Sequence, residues 1–248
     1  MKKNKIAFQG EQGAYSHIAC EALFKDAVIK TCSTFEETFQ LAKENSEYRI
    51  VIPIENSLAG RVADIHYLIP KYKLQIHAEH FQKVSHNLLG IKGSKMKDIK
   101  TVRSHSQAIG QCQKIISDNK LTSIISADTA GSAKFISKKK DKSESAIASE
   151  LAAKIYDLEI LKSHVEDEPG NVTRFFIMGK ESRHPEHKDK KYITSCIFKL
   201  KSIPAALYKA LGGFATNGVN LCKLESFAVK NTFEQVNFYI YIEGHIEN

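Results

Sequence analysis

The amino-acid sequence predicts an α/β protein of two lobes, followed by a smaller α+β domain. Over roughly the first 180 residues, short apolar runs alternate with helical patterns. The polar stretch from Glu181 to Lys191, which contains a proline, reads as a linker. Beyond it the order changes to strand, helix, strand, strand.

The elements follow in order. Lys5 to Phe8 reads as a strand ending at Gly10, and Ser16 to Phe24 as a helix. Val28 to Cys32 is a second strand. Ser33 with Glu36 three residues on makes a capping box for a helix over 34–45. Tyr48 to Pro53 is a third strand, and the βαβαβ order implies a parallel sheet. The pattern restarts with alternating runs over 74–84 and 86–91. Strands follow at 100–102, 122–125 and 146–148, with helices at 106–117, 130–137 and 150–155. Arg174 to Met178 closes this part as a strand. The expected boundaries are 1–182 for the first domain, with one lobe about 1–76 plus 160–182 and the other about 77–159. The linker is 183–191 and the tail domain 192–248. In the tail, strand 193–200, helix 203–217 and strands 219–229 and 234–243 match the first four elements of a βαββαβ ferredoxin-like unit. The last two elements are missing from that pattern.

Composition removes several classes. No run approaches the eighteen or so apolar residues of a membrane helix. Behind the basic start, the apolar run Ile6-Ala7-Phe8 is too short for a secretory signal, so a cytoplasmic location is expected. The cysteine count of five is odd and includes no Cys-x-x-Cys pair, which argues against a disulfide framework or a zinc site. The cysteines read as small buried hydrophobes. The net charge of +8 is concentrated in runs over 134–142 and 188–191. Neither run is interleaved with aromatics, so both read as solvated faces and no nucleic-acid partner is expected.

Polar clusters fall where strands end, the usual ligand position in open α/β sheets. Gly10 to Ser16 is a glycine-containing turn that opens a helix and offers backbone donors to an anion, but it lacks dinucleotide-binding spacing. Glu55, Asn56 and Ser57 place an acceptor, an amide and a hydroxyl side by side. Ser104 and Gln107 open another helix, with Gln111 further along it. Asp128 and Thr129 open a third. Thr173, Arg174 and Phe175 begin the final strand, where an arginine suits bidentate carboxylate recognition. Taken alone, each cluster reads more readily as a cap, a turn or a surface charge.

Together, in order and spacing, the segments Gly10–Ser16, Pro53–Gly60, Ser104–Cys112, Asp128–Ala133 and Asn171–Phe175 resemble the motif set of the prephenate dehydratase family. The segment Leu221 to Ser226 resembles the ACT regulatory module that follows that enzyme. The resemblance implies a catalytic domain like type 2 periplasmic binding proteins, then a ferredoxin-like ACT domain, truncated here. It implies decarboxylative dehydration of prephenate to phenylpyruvate in phenylalanine biosynthesis, without cofactor or metal. A basic surface would attract that dianionic substrate.

By the same resemblance Thr173, Glu55 and Gln111 are catalytic, with Thr173 donating a hydrogen bond to the departing hydroxyl, in a relay with water or Glu55. Asn56, Ser57, Ser104, Gln107, Thr129, Arg174, Phe175, Gly13 and Ala14 bind substrate, Arg174 as a carboxylate clamp. The regulatory set for L-phenylalanine is Ala206, Leu207, Asn220, Leu221, Glu225 and Ser226. Ser106 stands where the family has proline, with little effect expected. Pro204 replaces a glycine of the regulatory pattern and Phe227 an arginine, so weakened or altered inhibition is expected. Because ACT modules pair, a homodimer or homotetramer is expected. Arogenate dehydratase, or a non-catalytic sensor using the same cleft, are the alternatives.

Overall fold

The computed structural model describes residues 4–181, 191–228 and 236–247. The chain divides into two compact units, Met1–Arg183 and His184–Asn248. The expected linker lies almost wholly outside the described residues, as does the second basic run.

The first unit contains two sheets. β1 (Lys5–Gln9), α1 (Tyr15–Leu23), β2 (Val28–Cys32), α2 (Phe35–Glu44) and β3 (Tyr48–Asn56) form the expected parallel βαβαβ start. The box that opens α2 lies one residue later than expected. Thr34 Oγ1 accepts from Glu37 N, and the Glu37 carboxylate accepts from Ser33 N. A two-residue β4 (Gly60–Arg61) pairs back on β3, and α3 (Ala63–Tyr72) follows. The sequence reading contains no counterpart of α3, because Pro70 lies within it and breaks the helical signal.

β5 (Gln75–Lys83) returns to this first sheet. The chain then crosses to the second sheet with β6 (Asn87–Ile91), a 3-10 turn, β7 (Thr101–Ser104), α4 (Ser106–Gly110), α5 (Gln113–Asp118), β8 (Thr122–Ile125), α6 (Thr129–Lys139), β9 (Glu144–Ala148), α7 (Glu150–Ile155) and β10 (Leu158–Lys162). It crosses back into β11 (Val172–Gly179). The sheet orders are β2-β1-β3-β11-β5 and β10-β6-β9-β7-β8.

The crossings therefore fall at 84–86 and 163–171, which shifts the expected lobe limits of 77 and 159. β5 pairs along its length with β11, nearly a hundred residues later, and local alternation does not reveal that partner. The helix expected over 106–117 is broken at Gln111 and Cys112. Asp167, from the second crossing, binds the Gln113 and Lys114 N–H groups at 2.7 and 3.0 Å and restarts the helix as α5.

Ile6, Phe8, Val51, Phe175 and Ile177 of the first sheet pack on Ala19 and Cys20 of α1. The second sheet is covered on one side by α4 and α5 through Ala108, Ile115 and Ile116, and on the other by α6 and α7 through Ala133, Ile136 and Ala152. Cys20, Cys32 and Cys112 are buried as expected, whereas Cys222 is exposed.

The second unit contains β12 (Ile193–Lys199), α8 (Ala206–Thr216), β13 (Leu221–Ala228) and β14 (Val236–Glu243) in the antiparallel order β12-β14-β13. First, third, second is the order of the opening strands of a ferredoxin-like sheet.

Candidate active site

The ends of the strands and the two crossings surround a cleft of about 520 Å³ in the first unit, a usual size for a small-molecule site. Its wall includes Ala14, Tyr15 and Ser16 at the start of α1, Asn56 at the end of β3, and Arg61 on β4. Gln107 and Gln111 come from α4 and its end, Thr129 from the start of α6, and Asn171, Thr173 and Phe175 from the second crossing and β11.

A chain of hydrogen bonds runs along this wall. The Asn56 carboxamide oxygen accepts from the backbone N–H of Leu58 (3.1 Å) and Ala59 (2.8 Å) in the turn after β3. That fixes which end of the amide is which. Its Nδ2 must then face β11, where it donates to Asn171 Oδ1 at 2.5 Å and Thr173 Oγ1 at 2.9 Å. Asn171 Nδ2 donates to Gln111 Oε1 at 2.7 Å. His86 Nε2 lies 3.2 Å from the same oxygen, and His86 Nδ1 lies 3.0 Å from the Tyr15 hydroxyl. Tyr15 donates to Ser85 O at 2.5 Å. Burial pushes the Tyr15 phenol well up, helped by Glu166, so it stays protonated. Burial pulls His86 down, against the opposing effects of the Gln111 hydrogen bond and Glu166.

The structure brings together Thr173, Gln111, Asn56, Gln107, Thr129, Phe175 and Ala14, as the sequence suggests. Other expected site residues are committed elsewhere. Ser57 Oγ accepts from Val172 N at 2.9 Å and anchors β11. Ser104 is fully buried, donating to Ile147 O at 2.6 Å between β7 and β9. The Gly13 N–H donates to His17 Nδ1, and a Cβ at Gly13 would stand 2.7 Å from Ala152 Cα, so this glycine serves the contact with α7. Glu55 stands opposite Arg174 in the β3–β11 register and does not line the cleft. Arg174 itself alternates away from Thr173. Its guanidinium bonds Glu79 at 2.6 and 2.8 Å and stacks over Phe176 and Phe81.

Among the described residues lining the cleft, the Lys or Arg is Arg61, which the sequence reading passed over. Asn171, His86 and Tyr15 were also without an assigned role. The Tyr15 and Ser16 N–H groups lie in the first turn of α1, where no intrahelical acceptor exists. Among the described residues no group of three or more His, Cys, Asp or Glu could hold a metal ion.

The protein-family model for prephenate dehydratase matches residues 6–183. The chain belongs to the prephenate dehydratase family. It is 40% identical to the bifunctional N-acyl-homoserine lactone acylase/prephenate dehydratase of Komagataeibacter europaeus, over 98% of this chain and 86% of that protein. It is 39% identical to the arogenate dehydratase/prephenate dehydratase 1 of Arabidopsis thaliana, over 90% of this chain. There it spans only 57% of the relative's length. The solved prephenate dehydratase of Arthrobacter aurescens, in complex with L-Phe, superposes with a TM-score of 0.88 at 26% identity, covering 97% of this chain and 81% of that one. The two-lobed α/β fold and a dehydratase function in aromatic amino-acid biosynthesis follow from this family membership.

Proposed function

We propose that the chain is a prephenate dehydratase that converts prephenate to phenylpyruvate. The ring carboxylate leaves as carbon dioxide, and its bonding electrons form the new ring double bond. The hydroxyl at the far side of the ring departs and, with one proton taken up, leaves as water. The barrier lies in that departure, because hydroxide is a poor leaving group.

The observation that carries this reading is the hydrogen bond from Asn56 to Thr173 Oγ1. An oxygen that already accepts from Asn56 has its own proton available for a group in the cleft. Thr173 then stabilises the departing hydroxyl by donation, and the proton consumed comes from solvent. Glu55, which does not line the cleft, is not part of the proposed relay. Arg61 and the first-turn N–H groups of α1 and α6 receive the carboxylates. Phe175 and Phe35 pack against the ring, and Gln107, Gln111 and Thr129 orient its polar groups.

The experiment mixes the protein with prephenate and follows phenylpyruvate absorbance. Turnover is expected, and its absence sinks the reading. Two other activities have specific support. The plant relative is named for arogenate as well as prephenate, and the Komagataeibacter relative for an acylase. Comparing kcat/KM for prephenate, arogenate and an N-acyl-homoserine lactone ranks the three.

The tail is proposed to be an ACT module, supported by its element and strand order. Ala206 and Leu207 lie in the first turn of α8. Asn220, Leu221, Glu225 and Ser226 lie just before and along β13. L-Phenylalanine is its proposed ligand, with weak or altered inhibition because Phe227 and Pro204 depart from the family pattern. Strong inhibition at micromolar phenylalanine would refute that. Pairing through such modules makes a homodimer or homotetramer the proposed assembly, and the cytoplasm the proposed location.

A further inference from the structure

His86 belongs to the short crossing between β5 of the first sheet and β6 of the second, and its ring is almost wholly buried, at 3% exposure. Groups from both lobes meet on it. Tyr15, on α1 of one lobe, contacts Nδ1 through its hydroxyl and packs edge-on against the ring at 5.7 Å. Gln111, at the end of α4 in the other lobe, contacts Nε2 through its amide oxygen. The backbone on either side of the ring is held as well. His86 N donates to the Glu166 carboxylate at 2.9 Å, and His86 O accepts from Val165 N at 2.9 Å, so the ring has little freedom to move along the chain.

The polarity of the contacts can be worked out. Gln111 Oε1 is an acceptor, because Asn171 Nδ2 donates to it. Nε2 of His86 therefore carries a proton and supplies a second donor to the same oxygen, and in the neutral ring Nδ1 is an acceptor that shares the Tyr15 hydroxyl proton with Ser85 O. With both donors in place, the Gln111 amide keeps its oxygen on the wall. No described residue accepts from its Nε2, which is left to donate to a molecule in the cleft.

We infer that His86 is a positioning residue for dehydration: its Nε2–H holds the Gln111 amide in the orientation that presents its nitrogen to substrate and completes the chain Gln111–Asn171–Asn56–Thr173. This rests on the dehydratase reading above. Although His86 lines the cleft, its ring is only 3% exposed, and its role is to set the geometry of Gln111 and the chain beyond it. Small misplacements of such groups are costly in kcat.

Two substitutions of similar polarity separate this from a merely structural role. In His86→Gln the side-chain amide nitrogen reaches the place of Nε2 and replaces the donor to Gln111. In His86→Asn the shorter amide reaches only the place of Nδ1 and faces Tyr15. Prephenate turnover by H86N is expected to show kcat lowered by roughly tenfold to a hundredfold, with KM changed less than about threefold. H86Q is expected to keep kcat within about fivefold of the unsubstituted protein. Equal losses in both variants, or H86N retaining normal kcat, would overturn the inference while the unsubstituted protein still turned over prephenate. If the unsubstituted protein formed no phenylpyruvate, the dehydratase reading would fall, and this inference with it.

Discussion

Asn56 Nδ2 lies 2.9 Å from Thr173 Oγ1, across the end of the β3–β11 pairing, and holds that hydroxyl as an acceptor. Asn56→Asp replaces this donor with a carboxylate oxygen facing Asn171 Oδ1, and turns the Thr173 proton towards the new acceptor. We expect kcat for prephenate to fall by about 10²–10³, similar to the loss of one transition-state donor. Thr173→Val is expected to lose about 10²–10⁴ in kcat, and Thr173→Ser to stay within about tenfold. A T173V variant with near-normal kcat would remove Thr173 from the mechanism.

Arg61 and Arg174 give opposite expectations. Arg61→Met removes a cation from the cleft wall, so KM should rise by about tenfold or more, the scale of one charge-assisted hydrogen bond. Arg174→Met breaks a partly exposed pair with Glu79. Its cost should be about 1 kcal/mol or less in stability, with KM within about twofold. Steady-state kinetics on the two variants decide the matter, and a reversed pattern would restore Arg174 as the carboxylate clamp.

Gly13 has φ +87°, and its missing side chain leaves room for α7. The turn is held there by Ser149 donating to Gly13 O at 2.5 Å and Tyr156 donating to Gln12 O at 2.8 Å. Gly13→Ala should destabilise the protein by about 1–3 kcal/mol through overpacking and backbone strain. Urea unfolding measures it. An unchanged midpoint would show that the turn moves off α7 at no cost.

His17 and His86 are both pulled below the ordinary histidine value, chiefly by burial. The unfolded chain therefore binds more protons than the folded one between those lowered values and about 6.5, and stability rises with pH across that window. The contribution of neutral burial is complete above about 6.5 and is lost as pH falls towards the folded values. The melting temperature should drop between about pH 7 and pH 5, and drop less steeply in H86Q than in the unsubstituted protein. Parallel curves would mean that His86 titrates alike in both states.

Asp167 caps α5 from the second crossing, and its own N–H donates to Gln111 O at 2.7 Å. Asp167→Ala should cost about 0.5–2 kcal/mol, the usual range for a lost cap. It should also lower kcat, because the break that presents Gln111 would relax. Retained kcat with lowered stability would assign Asp167 to folding alone.

Much of the architecture was legible in the sequence because it is written in local patterns. The βαβαβ start, α7 and the four tail elements arise from apolar periodicity and from caps that lie within a few residues of what they cap. The motif segments also marked where the strand ends converge. Side-chain direction was not legible. Ser57, Ser104 and Arg174 sit inside or beside the motifs, yet they bond β11, β9 and Glu79 of β5, and Glu55 stands opposite Arg174 in the β3–β11 register. Strand alternation puts neighbours on opposite faces, and the register that decides which face is inward depends on a distant strand.

The sequence by itself determined the alternation of elements, the family, and the presence of Thr173, Asn56 and Gln111 at strand and helix ends. The tertiary structure decided which of the polar residues share one cleft. It joined Tyr15, His86, Gln111, Asn171 and Asn56 from separate elements into one hydrogen-bonded wall. It also placed Arg61 where the sequence reading had put Arg174. The physical reason is that a hydrogen bond needs its partners within about 3 Å, and only the folded chain brings residues more than a hundred positions apart to that distance, as the β3–β11 pairing does for Asn56 and Thr173.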